Sequence, residues 1–208
     1  MTISNYEDLD GMQLDALREI GSIGAGNAAT SLSNFLNKQV SIDPPTVSII
    51  GMNEAVDKLG GPEKIVAGLL IRIQGEFEGA ILSIQDLDVI NMLLESLYGI
   101  RVDDFAQVDE LQFSAISEVG NILMASYVNA ISDMAGLHVH MEPPAVSVNM
   151  LGGMITVPMA LYCYEADKVM LIEGSYNFDN KPHSNSLLLI PNVDSLKTIL
   201  TKLGVYNE

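Results

Sequence analysis

The chain has no tryptophan, a single cysteine (Cys163), three histidines, and only ten basic residues against twenty-seven acidic ones. Each shortage excludes a class. One thiol forms no internal disulfide, and so few cysteines and histidines build no structural metal site, so disulfide-held and metal-held scaffolds drop out. A lone free thiol suits a reducing compartment. A formal net charge of −17 repels phosphate backbones and removes nucleic acid as a partner. The longest apolar runs, residues 65–71 and 155–163, fall short of the ~20 residues needed to cross a bilayer, so no membrane insertion is expected. Residues 1–10 are acidic where a signal peptide is basic and then apolar, which makes a cytoplasmic location the expectation.

What is present is a globular composition. With 208 residues and 48% apolar side chains, the chain can bury roughly 70% of its unfolded surface. It also repeats itself. A shift of 99 between residues 13–48 and 112–147 aligns eleven identical pairs, among them Gln13/Gln112, Glu19/Glu118, Gly21/Gly120, Pro44/Pro143 and Pro45/Pro144. A second match sets residues 80–97 beside 186–203. One domain built from two repeats, about 11–99 and 109–204, is expected.

Each half spells one order. A long helix comes first, over 12–36 and 110–135, with Asp109 and Gln112 spaced as a capping box. The Pro44-Pro45 and Pro143-Pro144 pairs then break the chain and bias their predecessors to extended structure. Strand-like runs follow at 46–51, 65–73 and 78–84, then at 145–150, 155–162, 169–175 and 186–190. Helices over 87–98 and 193–203 close the halves, with Gly99 and Gly204 just beyond them. Strands in succession without intervening helices imply antiparallel pairing, hence an α+β fold with two halves related by a pseudo-twofold.

On the first long helix Asp15, Glu19 and Ser22 stand at i, i+4 and i+7, within an arc of ~60°. The second repeats the stripe with Ser114, Glu118 and Asn121. A solvated helix face would explain one such stripe. Two copies count for more, because neighbouring positions have drifted (Asn27 against Ser126, Thr30 against Asn129) while the glutamate has not.

These residues carry a resemblance. GMQLDALREIGSIGAGNAATSLS at 11–33 and FSAISEVGNILM at 113–124 resemble the signature helices of the CheC family, phosphatases of phosphorylated CheY in chemotaxis. The family pattern runs Asp or Ser, three residues, Glu, two residues, Asn, twenty-two residues, Pro. Ser114, Glu118, Asn121 and Pro144 satisfy every term; Asp15, Glu19 and Pro45 match, with Ser22 where Asn is expected. The resemblance implies an aspartyl phosphate substrate on a response regulator that carries its own Mg²⁺, so the protein needs no cofactor. Hydrolysis of such a phosphate asks mainly for positioning and electrostatics. By resemblance, Asn121 orients the attacking water and Glu118 docks the regulator through its active-site lysine; Glu19 and Ser22 form a weaker first site. An amide can accept from water and donate to phosphate, whereas a serine hydroxyl reaches less far. The resemblance also implies the receptor deamidase CheD as a partner. A non-catalytic adaptor for CheY phosphate or CheD is the alternative, and a monomer is expected because the fused copies supply what a single-copy relative obtains by dimerising.

Other features have simpler readings. Gly24-x-Gly26-x-x-Ala29 approaches a dinucleotide fingerprint but lies inside a helical pattern, so close helix packing is expected instead. His138, His140 and His183 lack partners at metal-ligand spacing. Cys163 reads as a core thiol, the eleven methionines mainly as core filler, with any exposed ones suited to an adaptable protein-binding surface, and the proline pairs as corners.

Overall fold

The computed structural model describes residue 3 and residues 6–162, 168–179 and 181–207; Cys163, expected in the core, lies outside the described residues. In chain order the elements are α1 (Gly11–Leu36), β1 (Val40–Ile42), β2 (Thr46–Gly51), α2 (Met52–Lys58), β3 (Ile65–Gly75), β4 (Gly79–Gln85), α3 (Leu87–Tyr98), α4 (Glu110–Ala135), β5 (Val139–Met141), β6 (Ala145–Met150), α5 (Leu151–Tyr162), β7 (Lys168–Phe178), β8 (Lys181–Pro191) and α6 (Val193–Lys202). Short 3-10 turns at Tyr6–Asp8 and Phe105–Gln107 precede the two long helices. The second half restates the first element by element, and the α+β reading with antiparallel strands holds.

All strand pairs are antiparallel, in the order β1-β7-β8-β4-β3-β5, with β2 also on β7 and β6 also on β3. The halves therefore exchange strands. β1 and β2 of the first half complete the sheet on β7 of the second, and β5 and β6 return the exchange on β3. The prolines turn the chain between the two short strands, β1 to β2 and β5 to β6.

Alternate residues of the central strands face opposite cores, as period-2 geometry requires. Leu69, Ile71, Ile81, Met170, Ile172, Leu187 and Leu189 pack under α1, α4 and α6. Val66, Leu82, Ile84, Leu171, Leu188 and Ile190 pack against α2 and α5. Both long helices thus lie on one face of the sheet.

One expected strand is corrected. Residues 155–162 are the body of helix α5, in which Leu151, Met154, Ile155 and Pro158 are buried at i, i+3, i+4 and i+7. A short apolar run does not distinguish a strand from a buried helix, and its β-branched residues and proline favoured the wrong one. α2, the first-half counterpart, was also not anticipated. Gly68 of β3 makes room for α5: a Cβ there would lie 1.8 Å from Met154 Sδ.

Candidate functional site

The phase of each long helix is fixed at its start. Asp10 Oδ1 accepts the Gln13 backbone N–H and Gln13 Oε1 accepts the Asp10 N–H, both at 2.9 Å. Asp109 and Gln112 close the same box at 2.8 and 3.1 Å. Reciprocal capping satisfies two of the orphan amides at a helix start. The box on α4 was legible in the sequence. The one on α1 was missed, although Asp10 and Gln13 have the same spacing at the same shift. The equivalent serine closes each helix exit through a different bond: Ser33 Oγ accepts the Val40 N–H at 2.9 Å, and Ser132 Oγ donates to the Leu137 carbonyl.

Glycine then sets which side faces out. A Cβ on Gly21 would come within 2.8 Å of Val47 Cγ2, and one on Gly120 within 2.1 Å of Leu69 Cδ2, so both glycines press their helices onto the sheet. Glutamate stands two residues earlier in each helix, ~200° around the axis, and must face away from the sheet. Glu19 and Glu118 are both exposed. Residues 22 and 121 stand one position past the glycine, ~100° from the sheet contact. There Ser22 is exposed and the longer Asn121 is half-buried.

The expected site residues thus share a face in pairs, Glu19 with Ser22 on α1 and Glu118 with Asn121 on α4. Among the described residues, none of these four side chains makes a hydrogen bond or ion pair. Their polar atoms remain available to a partner. The stripes extend one turn back to Asp15 and Ser114, both exposed. Here the halves differ: Asp15 holds Arg18 at 2.7 Å, whereas Ser117 stands at the position of Arg18 on α4 and offers no cation.

The helices pack on each other through the glycine-rich stretch. A Cβ on Gly24 would lie 2.5 Å from the Tyr127 ring, so this glycine admits the aromatic. Further along, Ser126 Oγ bonds Ser31 Oγ at 3.4 Å. The Tyr127 hydroxyl is buried beside Asn185 without a well-formed hydrogen bond, and burial pushes its pKa up to about 12. Gly26 is different: nothing lies within 4 Å of a Cβ there, so close packing accounts for Gly21 and Gly24 but not for Gly26.

The histidines serve elsewhere. His183 is buried, with Nδ1 2.7 Å from Asp88 Oδ2, while His138 and His140 are exposed beside and within β5. Among the described residues no group of three or more His, Cys, Asp or Glu could hold a metal ion, and no helix is long and apolar enough to cross a membrane.

Comparison with known proteins picks out the same two helices. The CheC-like family model matches twice, at residues 12–49 and 111–148, the two stretches that carry the stripes. The chain is 28% identical to the CheY-P phosphatase CheC of Bacillus subtilis over 97% of this chain and 99% of that protein. It is 32% identical to the flagellar motor switch phosphatase FliY of the same organism over 70% of this chain, but spans only 38% of that longer protein. The crystal structure of Thermotoga maritima FliY superposes with a TM-score of 0.74 at 22% identity, covering 95% of this chain and 98% of that one, a likeness of fold. With the CheC-like model matched on both long helices and 28% identity to a CheC over nearly the whole chain, the sequence is similar to the CheC-like family, and the FliY match shows that it shares that fold.

Proposed function

We propose that this protein hydrolyses the aspartyl phosphate of phosphorylated CheY, with α4 as its principal catalytic helix. The observation that supports this most is the pair Glu118 and Asn121: one turn apart, on the outer face of a capped helix, with no internal hydrogen-bond partner. Such a helix is half of an active site. The regulator brings the other half, namely the acyl phosphate, its Mg²⁺ and a lysine, so the phosphatase contributes no cofactor of its own.

The role of each residue follows from its chemistry. Glu118 pairs with the regulator's lysine and seats α4 across the phosphorylated pocket. The Asn121 carbonyl oxygen then accepts a hydrogen bond from a water in line with the scissile bond, and its amide can donate toward the phosphoryl oxygens. Water oxygen bonds to phosphorus as the acyl oxygen–phosphorus bond breaks. Inorganic phosphate leaves, and the aspartate carboxylate is regenerated. Positioning of this kind supplies rate without a strong base on the enzyme.

Glu19 on α1 can dock a regulator in the same way, but Ser22 ends short of where an asparagine amide reaches. We therefore assign α1 to binding with little turnover. Because the halves exchange strands, they act as one unit, and a monomer carries both helices. The second reading, an adaptor that binds CheY phosphate or CheD with little catalysis, is favoured by Ser22. Single-turnover decay of labelled CheY phosphate separates the two. Acceleration by the wild-type protein, lost in Asn121→Ala, supports the phosphatase; binding with unchanged or slowed decay supports the adaptor.

A further inference from the structure

Among the described residues, the two most exposed large hydrophobics are Leu111 at 68% and Met12 at 66%. They are repeat counterparts, 99 residues apart, each the second residue of its long helix. Local energetics give no reason for either. The first turn of a helix favours an acidic side chain, which its macrodipole stabilises by about 0.3–1 kcal/mol, and an apolar side chain there gains nothing from the dipole. A single exposed leucine is ordinary, but a largely exposed apolar residue at both copies of one position is not.

Helix geometry shows what these residues can reach. Leu111 precedes Glu118 by seven residues and Asn121 by ten. At ~100° per residue, Leu111, Ser114, Glu118 and Asn121 fall within ~80° of one another along ~15 Å of axis. Met12, Asp15, Glu19 and Ser22 repeat the stripe. The capping boxes hold these first turns in phase, so the apolar tip and the glutamate move as one rigid edge. A partner that covers Glu118 and Asn121 over a normal interface width must also cover Leu111.

We infer that Leu111, and Met12 on the other helix, are apolar anchors that dock into the phosphorylated regulator beside its active-site pocket, setting affinity and choice of regulator rather than the chemical step. This rests on the reading of Glu118 and Asn121 as the site that meets CheY. The occupant is the regulator because the anchor is continuous with that pair on one helix face. Leucine and methionine are flexible apolar groups of similar volume, and their exchange between the two copies fits a shallow apolar recess better than a shaped slot.

The test uses the full chain and compares wild type with Leu111→Ser, Leu111→Met and Asn121→Ala, measuring kcat and KM for CheY-phosphate hydrolysis and Kd for beryllofluoride-activated CheY. Leu111→Ser is expected to raise KM and Kd about tenfold with kcat within twofold, the size expected from exposing part of a leucine side chain. Leu111→Met is expected to restore both, and Asn121→Ala to lower kcat with Kd little changed. A wild-type protein that hydrolyses CheY phosphate while Leu111→Ser keeps its KM and Kd overturns the anchor alone. A wild-type protein that neither binds activated CheY nor hydrolyses its phosphate overturns the reading of the site, and the anchor with it. A fall in kcat for Leu111→Ser at unchanged Kd would also overturn it, by placing the residue in the chemical step.

Discussion

The outer faces of α1 and α4 share phase, capping and glutamate but not chemistry. Glycine against the sheet turns Glu19 and Glu118 outward alike. One helix continues with Ser22 and carries the Asp15–Arg18 ion pair, while the other continues with Asn121 and has no cation at the matching place. The capping, glycine and glutamate positions match between the copies, whereas residues 22 and 121 differ. On the proposed reading, duplication supplies two docking edges, of which only the one on α4 carries the asparagine proposed to orient water.

The largest effect that would sharpen this contrast is on turnover. Asn121→Ala is expected to lower the rate of CheY-phosphate decay about 10²-fold, the scale of a lost positioning group, while Ser22→Ala changes it less than twofold. Equal losses would break the asymmetry. In an Asn121→Ala background, Ser22→Asn is expected to recover measurable activity from α1.

Next comes packing between the helices. Gly24→Ala drives a Cβ into the Tyr127 ring and is expected to cost about 1–3 kcal/mol in urea unfolding, the usual range for overpacking. Glu118→Ala should weaken binding of activated CheY about tenfold, more than Glu19→Ala does, as titration would show. The smallest effect has the opposite sign. Gly26 faces open space and its counterpart is Ala125, so Gly26→Ala should raise stability by about 1 kcal/mol through helix propensity.

The tyrosine between the helices adds a pH dependence. Burial raises the folded-state pKa of Tyr127 from 10.0 to about 12. Below pH 10 the phenol is neutral in both states and stability is unaffected. Above it only the unfolded state ionises freely, so stability should fall by about 1.4 kcal/mol per pH unit from this group until pH 12. Tyr176, also raised by burial, should steepen the loss. Tyr127→Phe should flatten the pH profile of the unfolding midpoint in this range.

Much of this was legible in the linear chain. The long helices announce themselves through the repeat, the glutamate spacing and the Asp109–Gln112 box, and the closing helices through apolar periodicity and terminal glycine. These are local signals that operate within one or two turns. Helix α5 was not legible, since Ile155, Thr156, Val157 and Pro158 individually favour extended structure and only burial against β3, β4 and β8 makes the segment helical. Met12 and Leu111 escaped for a related reason. Apolar residues at a helix start read as core until the fold shows that no neighbour covers them.

The order of residues by itself determined two copies of a helix with an acid and a polar group one turn apart, because 3.6-residue periodicity and capping act between near neighbours. Which side of that helix meets water, and that each half finishes the other's sheet, was decided only in three dimensions. Those outcomes depend on contacts such as Gly120 on Leu69 and β2 on β7, formed between residues dozens of positions apart, which no local pattern encodes.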